Sequence, residues 1–128
     1  ADTEFAEPKP TIIEPRKIVF SIKSADDEVI NHLLSSANNV LKFYGPENVN
    51  MRIVAYYHGI KMLLKKEKKT AKRVDALMQI DVEFVACENT MRTKKIDKSE
   101  LIEGVEIVTA GIVEMTERVQ DGWINIVP

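Results

Sequence analysis

Residues 82–90 read VEFVACENT. The stretch opens as a short, dense apolar run whose valines and phenylalanine suit a strand. It ends on the only cysteine of the chain, Cys87. Glu88, Asn89 and Thr90 then bring acidic and capping residues, so a short polar helix is expected around residues 90–94, with Asn89 or Thr90 as its cap. A strand that is apolar without alternation is covered on both faces. A covered strand that runs into a helix start is the repeating unit of a parallel α/β fold.

The same grammar recurs on either side. Residues 17–22 (KIVFSI) form the first expected strand. Ser24 and Asp26 are N-cap residues, and Asp27 and Glu28 suit the first turn of a helix. Ile30, Leu33, Leu34, Ala37, Leu41 and Tyr44 then recur at helical spacing until Gly45-Pro46 stops them. Residues 50–57 (NMRIVAYY) read as the second strand, with a turn at His58-Gly59 and a short helix over residues 60–66. Ala71, Val74, Leu77 and Met78 mark a further helical face. Downstream, residues 105–108 are the fourth strand. Ile112, Met115, Thr116 and Val119 mark the last helix, which ends at Gly122, and residues 123–127 (WINIV) are the fifth strand. The prediction is a three-layer α/β sandwich with a five-stranded, mostly parallel sheet and right-handed crossovers.

Residues 1–16 differ in kind. They hold three of the five prolines and show no period, so they are read as an extended, poorly ordered arm before a single domain over residues 17–128. The chain starts at Ala1, and its acidic, proline-containing arm leans the reading toward an exported mature protein, with a cytoplasmic one as the alternative.

Composition excludes more than it selects. The 128 residues are 45% apolar, ample for a core, and no apolar run approaches a membrane span. A formal charge of −2 speaks against nucleic-acid binding by bulk charge. One cysteine excludes an internal disulfide and a cysteine-rich metal cluster. No cofactor or metal is called for: nucleotide-binding glycine loops, the serine-hydrolase elbow and zinc-protease motifs are all absent. Seven of the 18 basic groups fall in residues 61–73, which contain one acid, Glu67. That run reads either as a solvated helix face or as a dock for an acidic partner or anionic ligand. It holds no aromatic residue for base stacking.

In an open parallel sheet, ligands bind outside the carboxyl ends of the strands. Ser24, His58, Gly59, Cys87, Glu88, Asn89, Thr109, Ala110 and Gly111 fall at that edge. Cys87 carries the chemistry in this reading. A thiol at a helix start is favoured as thiolate, and only the thiolate is a good nucleophile. The alternative is a buried structural cysteine. His58 is either a partner for the thiolate or a turn histidine, and His32 is a surface or packing residue. Trp123 is either a subunit contact or a half-buried core residue.

These residues together resemble the DsrE/DsrF-like family. The resemblance is carried by residues 17–22, by Val54-Ala55-Tyr56-Tyr57-His58-Gly59, by residues 82–91 with the pattern F-V-A-C-x-N-T-M, and by residues 105–111 with Asp121-Gly122-Trp123. It spans residues 17–128. It implies a flavodoxin-like topology, assembly into homo-oligomers (trimers or hexamers), and a sulfur-carrier or sulfurtransferase-like role. In that role Cys87 takes sulfane sulfur as a persulfide and passes it to a partner, and a sulfur donor or acceptor protein is the implied partner. His58 is the implied polar partner, and Gly59, Asn89, Thr109 and Gly111 shape the pocket. With no second cysteine, any sulfur carried must leave to another molecule. The rival is a non-catalytic, oligomeric ligand-binding or scaffold domain.

Overall fold

The computed structural model describes residues 2–128, and residue 1, the start of the expected arm, lies outside the described residues. Five strands form one sheet: β1 (Arg16–Ile22), β2 (Val49–Ala55), β3 (Glu83–Cys87), β4 (Glu106–Val108) and β5 (Ile124–Ile126). The α-helices are α1 (Asp27–Tyr44), α2 (Lys68–Met78), α3 (Glu88–Lys94) and α4 (Gly111–Gln120). Every pairing is parallel, so the sheet is all-parallel where a mostly parallel one was expected.

The strand order is β4-β3-β2-β1-β5. The sheet is doubly wound, but the order departs from the flavodoxin order 2-1-3-4-5. Four strands are added in one direction before the chain reverses. Right-handed crossovers then place α1, α2 and α3 on one face and α4 alone on the other. The packing follows this division. Ile18, Phe20, Ile22, Ile53, Phe84 and Ala86 join residues of α1 and α2 and Met91 of α3 in the large core. Val19, Val54 and Val85 form a smaller core with Val108, Met115 and Trp123. Trp123 is thus a half-buried residue of that second face.

Local chemistry sets the element ends. The Asp26 carboxylate accepts from the Glu28 N–H at 2.8 Å and caps α1, while Ser24 Oγ accepts from the Asp26 N–H. The second strand stops at Ala55, two residues before the expected end. His58 and Gly59 lie inside a 3₁₀ segment, Tyr57–Leu63, and do not form a free turn before a helix. Gly59 is dictated by close approach: a Cβ there would sit 2.2 Å from the Ile22 carbonyl oxygen. The arm carries no helix or strand in residues 2–15. Phe5 nonetheless packs edge-on against Phe43, with ring centroids 5.5 Å apart, and Arg16 donates to the carbonyls of Pro8 and Ala6.

The basic run divides. Arg73 donates to Asn31 Oδ1 and Ser35 Oγ and Lys61 to Asp27, tying the α2 side of the molecule to α1. Lys65, Lys66, Lys68 and Lys69 are exposed.

Helix α4 departs from its expected orientation. The sequence spacing grouped Ile112, Met115, Thr116 and Val119, but only Met115 of these turns inward. Ile112 and Val119 are 62% and 48% exposed. The cause is Arg52, an arginine within β2 whose side chain is only 9% exposed. It reaches Glu106 at 2.9 Å, Glu114 at 3.0 Å and Glu83 at 3.3 Å. A buried guanidinium needs carboxylates, and α4 rotates to supply Glu114. Burial alone would lower the pKa of Arg52; the hydrogen bond to Glu106 and the charges of Glu114, Glu106 and Glu83 outweigh it and raise it.

Candidate functional site

β3 and β4 are neighbours, yet α3 leaves β3 toward one face and α4 leaves β4 toward the other. A crevice opens between carboxyl ends at such a switch point. Cys87, the last residue of β3, sits there. It pairs with Val108 of β4 and shares the face of Val85. Its side chain therefore meets the start of α4, where Gly111 packs so closely that a Cβ would lie 3.4 Å from Cys87 Cβ and 3.1 Å from Tyr56 Cβ.

Cys87 is itself the N-cap residue of α3, so neither Asn89 nor Thr90 takes the cap position of this helix. Both lie in its first turn and do other work. Asn89 N–H donates to the Thr109 carbonyl at 3.3 Å, and its Oδ1 accepts from Arg92. Thr90 turns toward the thiol. Burial, with 6% exposure, pushes the Cys87 thiol up. Hydrogen bonds from the Thr90 hydroxyl and from the backbone N–H groups of Gly111, Thr90 and Asn89 push it down, and the net is a thiol below its ordinary value. Each of these donors stabilises the sulfur more when it is charged. Helix α3 has only two turns, so the directed donors matter more than its dipole.

His58 is placed elsewhere on the same edge. Its ring stacks on Tyr57 with centroids 3.8 Å apart, and its Nδ1 lies 2.7 Å from Lys94 Nζ. An ammonium only donates, so Nδ1 is the acceptor and Nε2 carries the ring proton. The partners of the thiol are Thr90, Gly111 and Asn89, and His58 connects to them through Tyr57. Gly59 is buried beneath His58 against β1, a scaffold position. Thr109 and Ala110 line a cavity of about 220 Å³ with Val113, Glu114, Glu117 and Arg118, on the α4 side.

Sequence reasoning missed Thr90 as a thiol partner, although its spacing of three from Cys87 put both on one side of a helix. It also missed Tyr57, which holds a left-handed backbone (φ 53°) and donates its N–H to Thr90 Oγ1 at 2.8 Å. Among the described residues no three or more His, Cys, Asp or Glu side chains group to hold a metal, and no helix is long and apolar enough to cross a membrane.

A family model described as the DsrE/DsrF-like family matches residues 16–128. The chain belongs to the DsrE/DsrF-like family. Its sheet has a solved counterpart in the protein of unknown function MTH1491 from Methanobacterium thermoautotrophicum, which is 30% identical. That match has a TM-score of 0.83 and covers 88% of this chain and 99% of the other. The ychN protein from E. coli shares the fold at 17% identity and a TM-score of 0.74, over 89% of this chain and 99% of its own. A search of curated proteins found no match. For this DsrE/DsrF-like chain the matched region takes in the whole sheet and every residue of the crevice.

Proposed function

We propose that the protein is a sulfur carrier that holds sulfane sulfur on Cys87 as a persulfide. The observation that carries the reading is a lone thiol at the switch point of the sheet, held below its ordinary pKa by the Thr90 hydroxyl and three backbone N–H groups. In the loading step the Cys87 thiolate attacks the terminal sulfur of a donor R–S–SH. A bond forms from Cys87 Sγ to that sulfur, the donor S–S bond breaks, and the electron pair leaves on RS⁻. The proton travels on the transferred sulfur. In the unloading step an acceptor thiolate attacks the same sulfur, and Cys87 returns as thiolate. The donors that stabilise the resting thiolate also stabilise it as the leaving group.

The acceptor is a second molecule, because the chain has one cysteine. Assembly with further copies of the chain belongs to this reading, supported by the apolar outward face of α4. The test is an intact mass after incubation with polysulfide, with a gain of about 32 Da expected from one added sulfur atom. No gain, or a gain that survives Cys87→Ser, would sink the proposal.

The rival reading, a non-catalytic ligand-binding or scaffold domain, draws support from the 6% exposure of Cys87. It predicts slow alkylation of the folded protein, with no faster reaction than a free thiol at neutral pH.

A further inference from the structure

Contacts run without a break from the thiol to a lysine-rich hollow. Thr90 touches Cys87 and takes the Tyr57 N–H; the Tyr57 ring stacks on His58; His58 accepts from Lys94. Cys87, Thr90 and Lys94 are spaced three and four residues apart, along one side of α3. Lys94 lies about 10 Å from Cys87 along the helix axis, at 1.5 Å per residue. There a hollow of about 450 Å³ gathers Lys61, Lys66, Lys94 and Lys95 with His58. These lysines come from three separate parts of the chain: the 3₁₀ segment, the linker before α2, and the end of α3. The one carboxylate in the lining is Glu100, and its Oε2 is occupied by the Asp97 N–H at 2.7 Å. Asp27 neutralises Lys61 from outside the hollow. Lys66, Lys94 and Lys95 have no ion-pair partner among the described residues.

A thiol that is 6% exposed admits a slender sulfur chain more readily than a flat protein surface. An extended peptide of three residues spans about 10 Å. The geometry points to a low-molecular-weight, carboxylate-bearing persulfide as the sulfur donor, with its carboxylate held in the Lys66–Lys94–Lys95 hollow and its terminal sulfur at Cys87. This inference rests on the sulfur-carrier reading and names the substrate class of the same site. The Cys87 thiolate takes the outer sulfur as the donor S–S bond breaks, and the leaving thiolate departs with its carboxylate.

The test has two arms on the full chain. The first uses S-methylglutathione, which has two carboxylates and no transferable sulfur, followed by amide chemical shifts. Shifts at His58, Lys94 and Lys95 are expected, weakening with salt, with about tenfold lower affinity in the Lys94→Glu/Lys95→Glu variant. No shift at those residues at millimolar ligand, or equal affinity in the variant, overturns the proposal. The second arm compares sulfur loading of Cys87 by glutathione persulfide and by the persulfide of its diethyl ester. The acid-to-ester rate ratio is expected to fall about tenfold in the variant, and an unchanged ratio overturns the proposal. Binding without any sulfur uptake counts against the carrier reading. Sulfur uptake that ignores the carboxylates counts against the hollow alone.

Discussion

Thr90 Oγ1 accepts the Tyr57 N–H at 2.8 Å. That bond uses an oxygen lone pair and leaves the hydroxyl proton available to Cys87. A loop residue in a strained left-handed conformation thus sets the direction of the strongest side-chain donor to the thiol. Two ends of the sheet edge, after β2 and at the start of α3, are coupled through one hydroxyl.

Thr90→Val keeps the shape and removes the donor. The Cys87 thiol should rise in pKa, read from the pH dependence of iodoacetamide alkylation. The Tyr57 N–H loses its acceptor at an exposed position, so stability should fall by about 0.5–1.5 kcal/mol. Thr90→Ser should restore much of the pKa effect. An unchanged alkylation profile in Thr90→Val would remove Thr90 from the site.

The lowered thiol pKa also sets a pH dependence of stability. The folded thiol ionises before the unfolded one, so its contribution is full above the unfolded pKa of about 8.5 and is lost as pH falls through the lower, folded value. Wild type should therefore gain stability over Cys87→Ser as pH rises from neutral toward 9, measured by urea denaturation with reductant present. Parallel curves for the two proteins would contradict the hydrogen-bonded thiolate.

The two site glycines should differ in cost. At Gly59 a Cβ meets backbone, the Ile22 carbonyl oxygen at 2.2 Å, and nothing flexible can yield. At Gly111 it meets side chains at 3.1–3.4 Å. Gly111→Ala should cost about 1–3 kcal/mol, the usual range for overpacking. It should also slow thiol alkylation, because the Gly111 N–H moves with α4. Gly59→Ala should cost more and leave little folded protein. Equal denaturation midpoints for the two variants would show that the β1 edge can move.

The crevice was legible because strand order and polarity follow from apolar runs and turn residues, and Cys87, Asn89, Thr109 and Gly111 all came to one edge. The roles within it were less legible. His58 at a strand end reads either as a partner for the thiolate or as a turn histidine, and a sequence does not show that a 3₁₀ segment turns the ring to Lys94. Asn89 and Thr90 both read as caps because such residues near helix starts usually are, whereas Cys87 takes the cap position here. The inward face of α4 was misread for a physical reason. Its apolar spacing favours Ile112 and Val119, but Arg52 lies beneath it and draws Glu114 inward. The signal was present as an arginine inside the run NMRIVAYY.

The Arg52 cluster predicts its own failure mode. Arg52→Ala leaves Glu106 and Glu83 without a cation and Glu114, 12% exposed, with Arg118 alone at 3.5 Å. Loss of one partner from a fully buried pair costs about 3–5 kcal/mol; with Glu106 and Glu83 half-exposed and Arg118 retained, the cost here should fall short of that. The double variant Arg52→Met/Glu114→Met should recover much of that loss, since apolar replacements suit the neighbouring Val54, Val85 and Met115. A double variant no more stable than Arg52→Ala would show that the cluster holds α4 by something other than charge compensation.

The rotation that brings Glu114 inward turns Ile112, Thr116 and Val119 outward along one side of α4, with the exposed Val113 beside them. Leaving such a face in water forfeits about 25 cal/mol for each Å² that a partner would cover. A second copy of the chain is the occupant that the sulfur-carrier reading supplies. Sedimentation velocity should therefore give a mass that is a multiple of 14.5 kDa. The Ile112→Glu/Val119→Glu variant should sediment as the single chain with its circular dichroism unchanged, because neither side chain is in the core. Wild type sedimenting at 14.5 kDa, or a variant that keeps the assembled mass, would take the interface away from α4.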